Sequence, residues 1–127
     1  MGKPALAPEV PLDQFFAGQP LGRAVFDVVR QRLAAIGPLE VRASRSQVAF
    51  RRRRGFAFLW LPGQYLAHPD AEVVLSIGLD HHDPSPRFKE VVHPAPRVWL
   101  HHLEIRSPAE LDDEVWDWLV EAAEERG

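Results

Sequence analysis

The hexapeptide FAFLWL, residues 56–61, constrains the fold more than any other segment. Side chains alternate along a strand, so Phe56, Phe58 and Trp60 point one way while Ala57, Leu59 and Leu61 point the other. A strand apolar on both faces belongs in the middle of a sheet with both faces covered. Helices from the same chain can cover one face, and a partner subunit is a candidate for the second. Upstream, SRSQVAFRRRRG (residues 44–55) supplies the first arm of a hairpin, Gln47–Arg53, that turns near Arg54 and Gly55. Alternation places Val48, Phe50, Arg52 and Arg54 on one face and Ala49, Arg51 and Arg53 on the other. The four consecutive arginines are therefore split two and two, and one pair continues an apolar row.

Periodicity organises the remainder. Residues 1–11 carry Pro4, Pro8 and Pro11 without apolar spacing and read as a flexible arm, leaving 12–127 as a single domain. Leu12–Gly18 predicts a short helical turn anchored by Phe15 and Phe16. Leu21, Val25, Val28, Val29, Leu33 and Ile36 fall on one stripe of a helix that Gly37 and Pro38 stop. Leu39–Ala43, Val73–Leu79 and Arg97–Arg106 read as strands. The stretch 80–96, with four prolines and three histidines, reads as a long connection draped over the sheet. Ser107-Pro108-Ala109-Glu110 has the spacing of a capping box and predicts a helix from there to about Glu125. Strands in succession between two helices predict an α+β fold, an antiparallel sheet of four to five strands with the N-terminal and C-terminal helices on one face.

This pattern resembles a bacterial family, the domain of unknown function numbered 5655. The resemblance runs from about Leu12 to Ala123. It is carried by SRSQVAFRRRRGFAFLWL (44–61), VVLSIGL (73–79), DPSPRFKEVV (83–92) and WLHHLEIRSPAELDDEVWDWLVEA (99–122). It implies a compact α+β domain, free-standing or fused to others. It implies no particular activity and carries over no catalytic residue.

Composition excludes several function classes. Without cysteine there are no disulfides, thiolate metal sites or cysteine nucleophiles. No apolar run approaches the ~20 residues of a membrane span, and no signal peptide is evident, so a cytoplasmic location is expected. The net charge of −3 hides an asymmetry: residues 1–63 carry ten Lys/Arg against four Asp/Glu, and residues 64–127 carry five against fourteen. An overall acidic chain is a poor candidate for sequence-blind nucleic-acid binding.

The candidate chemistry is modest. Guanidinium groups bind carboxylate or phosphate by paired hydrogen bonds. Arg45, Gln47, Arg52 and Arg54 of the hairpin, Arg87 and Lys89 of the long connection, and His102 of the last strand are the expected contacts of a small anionic ligand. Asp80-His81-His82-Asp83 has metal-binding residue types, but adjacent side chains diverge and no third ligand is at hand, so no metal and no cofactor are assigned. His101 shares a face with Trp99, Leu103 and Ile105, the setting of a core histidine. No nucleophile elbow, phosphate loop or zinc-protease motif is present. The expectation is thus a small binding domain for an anionic ligand. A protein-interaction or homodimer module is the alternative, and an enzyme with a histidine general base is the third reading.

Overall fold

The computed structural model describes residues 8–127. Its elements are α1 (Leu12–Phe15), α2 (Pro20–Ile36), β1 (Glu40–Ala43), β2 (Val48–Arg51), β3 (Gly55–Trp60), β4 (Val73–Leu79), β5 (Glu90–Ala95), β6 (Val98–Ile105) and α3 (Asp113–Arg126). The six strands form one sheet in the order β1-β2-β3-β4-β6-β5, antiparallel throughout. The fold is the expected α+β arrangement with one strand more.

The extra strand is β5, inside the stretch read as a long connection. Its prolines hide it from periodicity, yet they fit an edge strand, where a missing N–H costs nothing on the unpaired side. The pairing with β6 shifts register between Val92 and Ala95, around Pro94.

Two register rows define the two faces. Val41, Phe50, Ala57, Ile77, His101 and Val91 lie across all six strands on the helix-covered face. The ring of Phe26 in α2 stacks on Phe50 at 5.8 Å, and Trp118 in α3 meets Phe88, which meets His101. Both helices therefore cover the same face. Val25, Phe26, Val29, Leu33, Val115 and Leu119 are sealed there with Leu59, Leu75 and Ile105, each large side chain worth roughly 1.5–3 kcal/mol. Gly22 lets α2 come close: a Cβ there would lie 3.2 Å from the Phe16 ring and 3.3 Å from Leu61. Gly18, at φ +72°, makes the left-handed turn between α1 and α2.

The start of α3 differs from the capping-box reading. Ser107 accepts from the Ala109 N–H, and Glu110 reaches back to the Arg106 N–H, but they close only a 3-10 turn over Pro108–Glu110. The α-helix begins only at Asp113, with Asp112 as its cap, accepting from the Val115 N–H. Of the expected N-terminal arm, residues 1–7 lie outside the described residues. Glu9 pairs with Arg42, and the Val10 N–H donates to Ala43 O, so this part lies along β1. Among the described residues no helix is long and apolar enough to cross a membrane.

Candidate functional site

The second register row runs Arg42, Ala49, Phe58, Ser76, His102, Glu90 across the opposite face. No helix covers it. Phe58, Trp60, Leu100 and His102 are half-buried there, and Ser76 is only 2% exposed. A hollow of about 360 Å³ is lined by Ser46, Gln47, Phe58, Trp60, Tyr65, Ser76, Leu100 and His102. Trp60 and His102 also wall a hollow of about 220 Å³ that reaches Leu66, His68, Asp70, Lys89, Glu90 and Glu104. On the other side, Gln47 and Phe58 are shared with a hollow of about 420 Å³ beside Arg42 and Arg51. The three make one groove across the sheet.

The floor of the groove is a polar chain in an apolar setting. The Trp60 Nε1–H donates to Ser76 Oγ at 2.8 Å, and Ser76 Oγ lies 2.6 Å from His102 Nδ1. The Trp60 and His102 rings also meet edge-on at 5.7 Å. Burial holds the His102 pKa below the ordinary imidazole range, opposed by Glu90 across the strand pair.

The expected site residues do not gather. Gln47 and His102 line the central hollow, and Lys89 reaches only the flanking one, where its ammonium bonds Asp70 at 2.8 Å and Glu104 at 3.2 Å. Arg45 is exposed, one residue from the groove wall, and its carbonyl accepts from Gln64. Arg52 and Arg54 are elsewhere. The hairpin's register shifts between Phe50 and Arg51 and β2 ends, so strand alternation does not carry into residues 52–54. Their Nε groups instead donate to backbone oxygens at helix ends: Arg52 to Pro38 O just beyond α2, Arg53 to Gly127 O and Arg54 to Arg126 O at the end of α3. Arg54 thereby satisfies a carbonyl that α3 leaves open, Arg52 bonds a carbonyl two residues past α2, and the cations lie near the negative ends of the two dipoles.

Arg87 is also engaged. One terminal nitrogen bonds both oxygens of Asp112, at 3.0 Å each, and Glu114 at 2.8 Å, while the other donates to Glu110 O. It ties the segment before β5 to the start of α3 rather than closing over the groove. The single hollow shared by hairpin arginines, connector cations and His102 is therefore not formed.

The histidines divide by environment. His101 is fully buried; its Nδ1–H donates to Ile77 O and its Nε2 accepts from the Asp83 N–H. Both ring nitrogens are used, which removes it as a general base. Of the Asp80–Asp83 motif, Asp80 and His81 meet α3: with half-buried Glu125 these two exposed residues form a group whose ligand atoms lie within 4.8 Å of one another, and Glu121 bonds His81 Nε2 at 2.7 Å. That carboxylate raises the His81 pKa.

Ser76 was not legible as a site residue, though one signal existed: it is the single polar side chain in VVLSIGL. Tyr65 and Leu100 carried none. No curated protein and no solved structure matches this chain. A family model does match, over residues 12–124, and by it the chain belongs to the family described as Domain of unknown function (DUF5655).

Proposed function

We propose that this domain binds a small, flat, largely apolar molecule in the groove on the open face of its sheet. The observation that carries the reading is the uncovered row Phe58–Ser76–His102, flanked by Trp60, Tyr65 and Leu100, around a hollow of about 360 Å³. Small-molecule sites are concave, mainly apolar and punctuated by a few placed polar groups, with volumes of about 300–1,000 Å³. The central hollow has no charged lining residue. Asp70, Glu90 and Glu104 surround Lys89 on one flank, which makes that side unfavourable for an anion. An uncharged ligand fits this field better than the carboxylate or phosphate that the arginine run suggests.

The test is a fragment screen read by amide chemical-shift perturbation. Hits are expected to move Gln47, Phe58, Trp60, Leu100 and His102 together, and Leu100→Trp, which fills the hollow, should remove them. Hits confined to other surfaces would overturn the reading.

A second copy covering the same face is the competing reading. It is favoured by Tyr65 and Leu66, which are 63% and 58% exposed beside the groove. Sedimentation separates the two: a dimer that Tyr65→Ser and Leu66→Ser dissociate supports the second reading, and a monomer at high concentration removes it.

A further inference from the structure

The chain Trp60–Ser76–His102 fixes more than a ring position. An indole nitrogen only donates, so Ser76 Oγ must accept from Trp60 Nε1–H. Ser76 is almost wholly buried, and its own hydroxyl proton needs an acceptor. The atom within reach is His102 Nδ1, at 2.6 Å. Were Nδ1 protonated, it would donate to Oγ and strand the serine proton. The bonds therefore run in one direction, from indole to hydroxyl to imidazole. The remaining ring proton sits on Nε2, which has no hydrogen-bond partner among the described residues. The ring itself walls both the central and the flanking hollow.

We infer that His102 presents a fixed Nε2–H donor to the groove and so selects uncharged planar ligands that carry a hydrogen-bond acceptor, a ring nitrogen or a carbonyl. This rests on the groove reading above and narrows it to a ligand class. The half-buried ring leaves Nε2 open to solvent in the free groove, so a ligand that excludes solvent without offering an acceptor would strand this donor at a cost, whereas one that carries an acceptor would not. A ligand offering only an N–H would face the His102 donor with a donor of its own. Aromatic bodies are served by the faces and edges of Phe58, Trp60 and Tyr65 around it. The lowered pKa of His102 agrees with a neutral ring whose Nδ1 is free to accept.

Two measurements on the unmodified protein test this. Long-range 1H–15N NMR should show His102 with a protonated Nε2 and a bare Nδ1. The reverse tautomer, or an equal mixture, would overturn the inference. Titration with matched two-ring probes should then rank isoquinoline and isoquinolin-1-one about fivefold or more above indole, the worth of roughly one hydrogen bond. In His102→Leu that ratio should fall to about one. Should the leucine variant not fold, Trp60→Phe supplies the second variant: removing the lead donor should loosen the tautomer and shrink the ratio. Equal binding of all three probes in the unmodified groove would refute the acceptor requirement and leave the groove standing. Failure of every probe to perturb the groove residues would instead refute the groove itself.

Discussion

Asp83 holds His101 from outside the core: its backbone N–H donates to the buried Nε2 at 3.0 Å, and its carboxylate accepts from Trp118 Nε1 at 3.0 Å. One residue thus joins β6 to α3 and pins the start of the segment that leads to β5. His101 can do this only while neutral, because a protonated Nε2 no longer accepts.

A pH dependence follows. Burial holds the folded His101 pKa below its ordinary 6.5. Between 6.5 and that lower value the unfolded chain binds more protons, so this contribution is full above about pH 6.5 and is lost as pH falls through the folded pKa. His102 acts in the same direction. His81, raised by Glu121, acts in the opposite one, helping below 6.5 and fading as pH rises, but it is exposed and screened. Urea midpoints should fall between pH 7.5 and 5.5. His101→Leu should cost about 2–3 kcal/mol at pH 7.5, from the orphaned Asp83 N–H and Ile77 O, and should flatten the acid limb. An unchanged slope in that variant would refute the assignment.

Arg87 should prove structural. Arg87→Ala releases Asp112, Glu114 and Glu110 O at once, for a loss of about 1–2 kcal/mol. Lysine should restore only part, lacking the fork that spans carboxylate and carbonyl. Groove ligands should bind unchanged. A large affinity loss with normal stability would instead place Arg87 over the ligand.

The arginines of the hairpin turn should behave as helix caps. Arg54→Ala and Arg52→Ala should each cost roughly 0.3–1 kcal/mol. Hydrogen exchange should quicken in the last turn of α3 for the first and of α2 for the second. Uniform acceleration across the sheet would argue against local capping.

Ser76 should be more costly than its size suggests. Ser76→Ala strands the Trp60 N–H and the His102 Nδ1 on a buried floor, an expected loss of about 1–3 kcal/mol. Ser76→Ala combined with Trp60→Phe should lose less than the sum of the two single changes, since the second removes a donor already orphaned. Simple additivity would mean the two groups do not act as a unit.

What the amino-acid order determined by itself was local. The 3.6-residue stripe from Val25 to Leu33, the alternation in 48–50 and 57–60, and the apolar run 73–79 each declare an element, because burial of one face is a property of neighbours in sequence, while Phe56 falls outside the alternation where the register skips from Arg51–Gly55 to Phe50–Ala57. His101 was legible as a core residue for the same reason, sharing its strand face with Leu103 and Ile105. What only the tertiary structure decided was adjacency between segments. Ser76 meets His102 because β6 pairs with β4 and passes β5 to the edge, an order no periodicity encodes. The arginines lie away from the groove because one register shift ended β2 before them and backbone carbonyls at the end of α3 and just past α2 were within their reach. Local pattern sets which face each residue shows; the sheet's strand order sets which residues it faces.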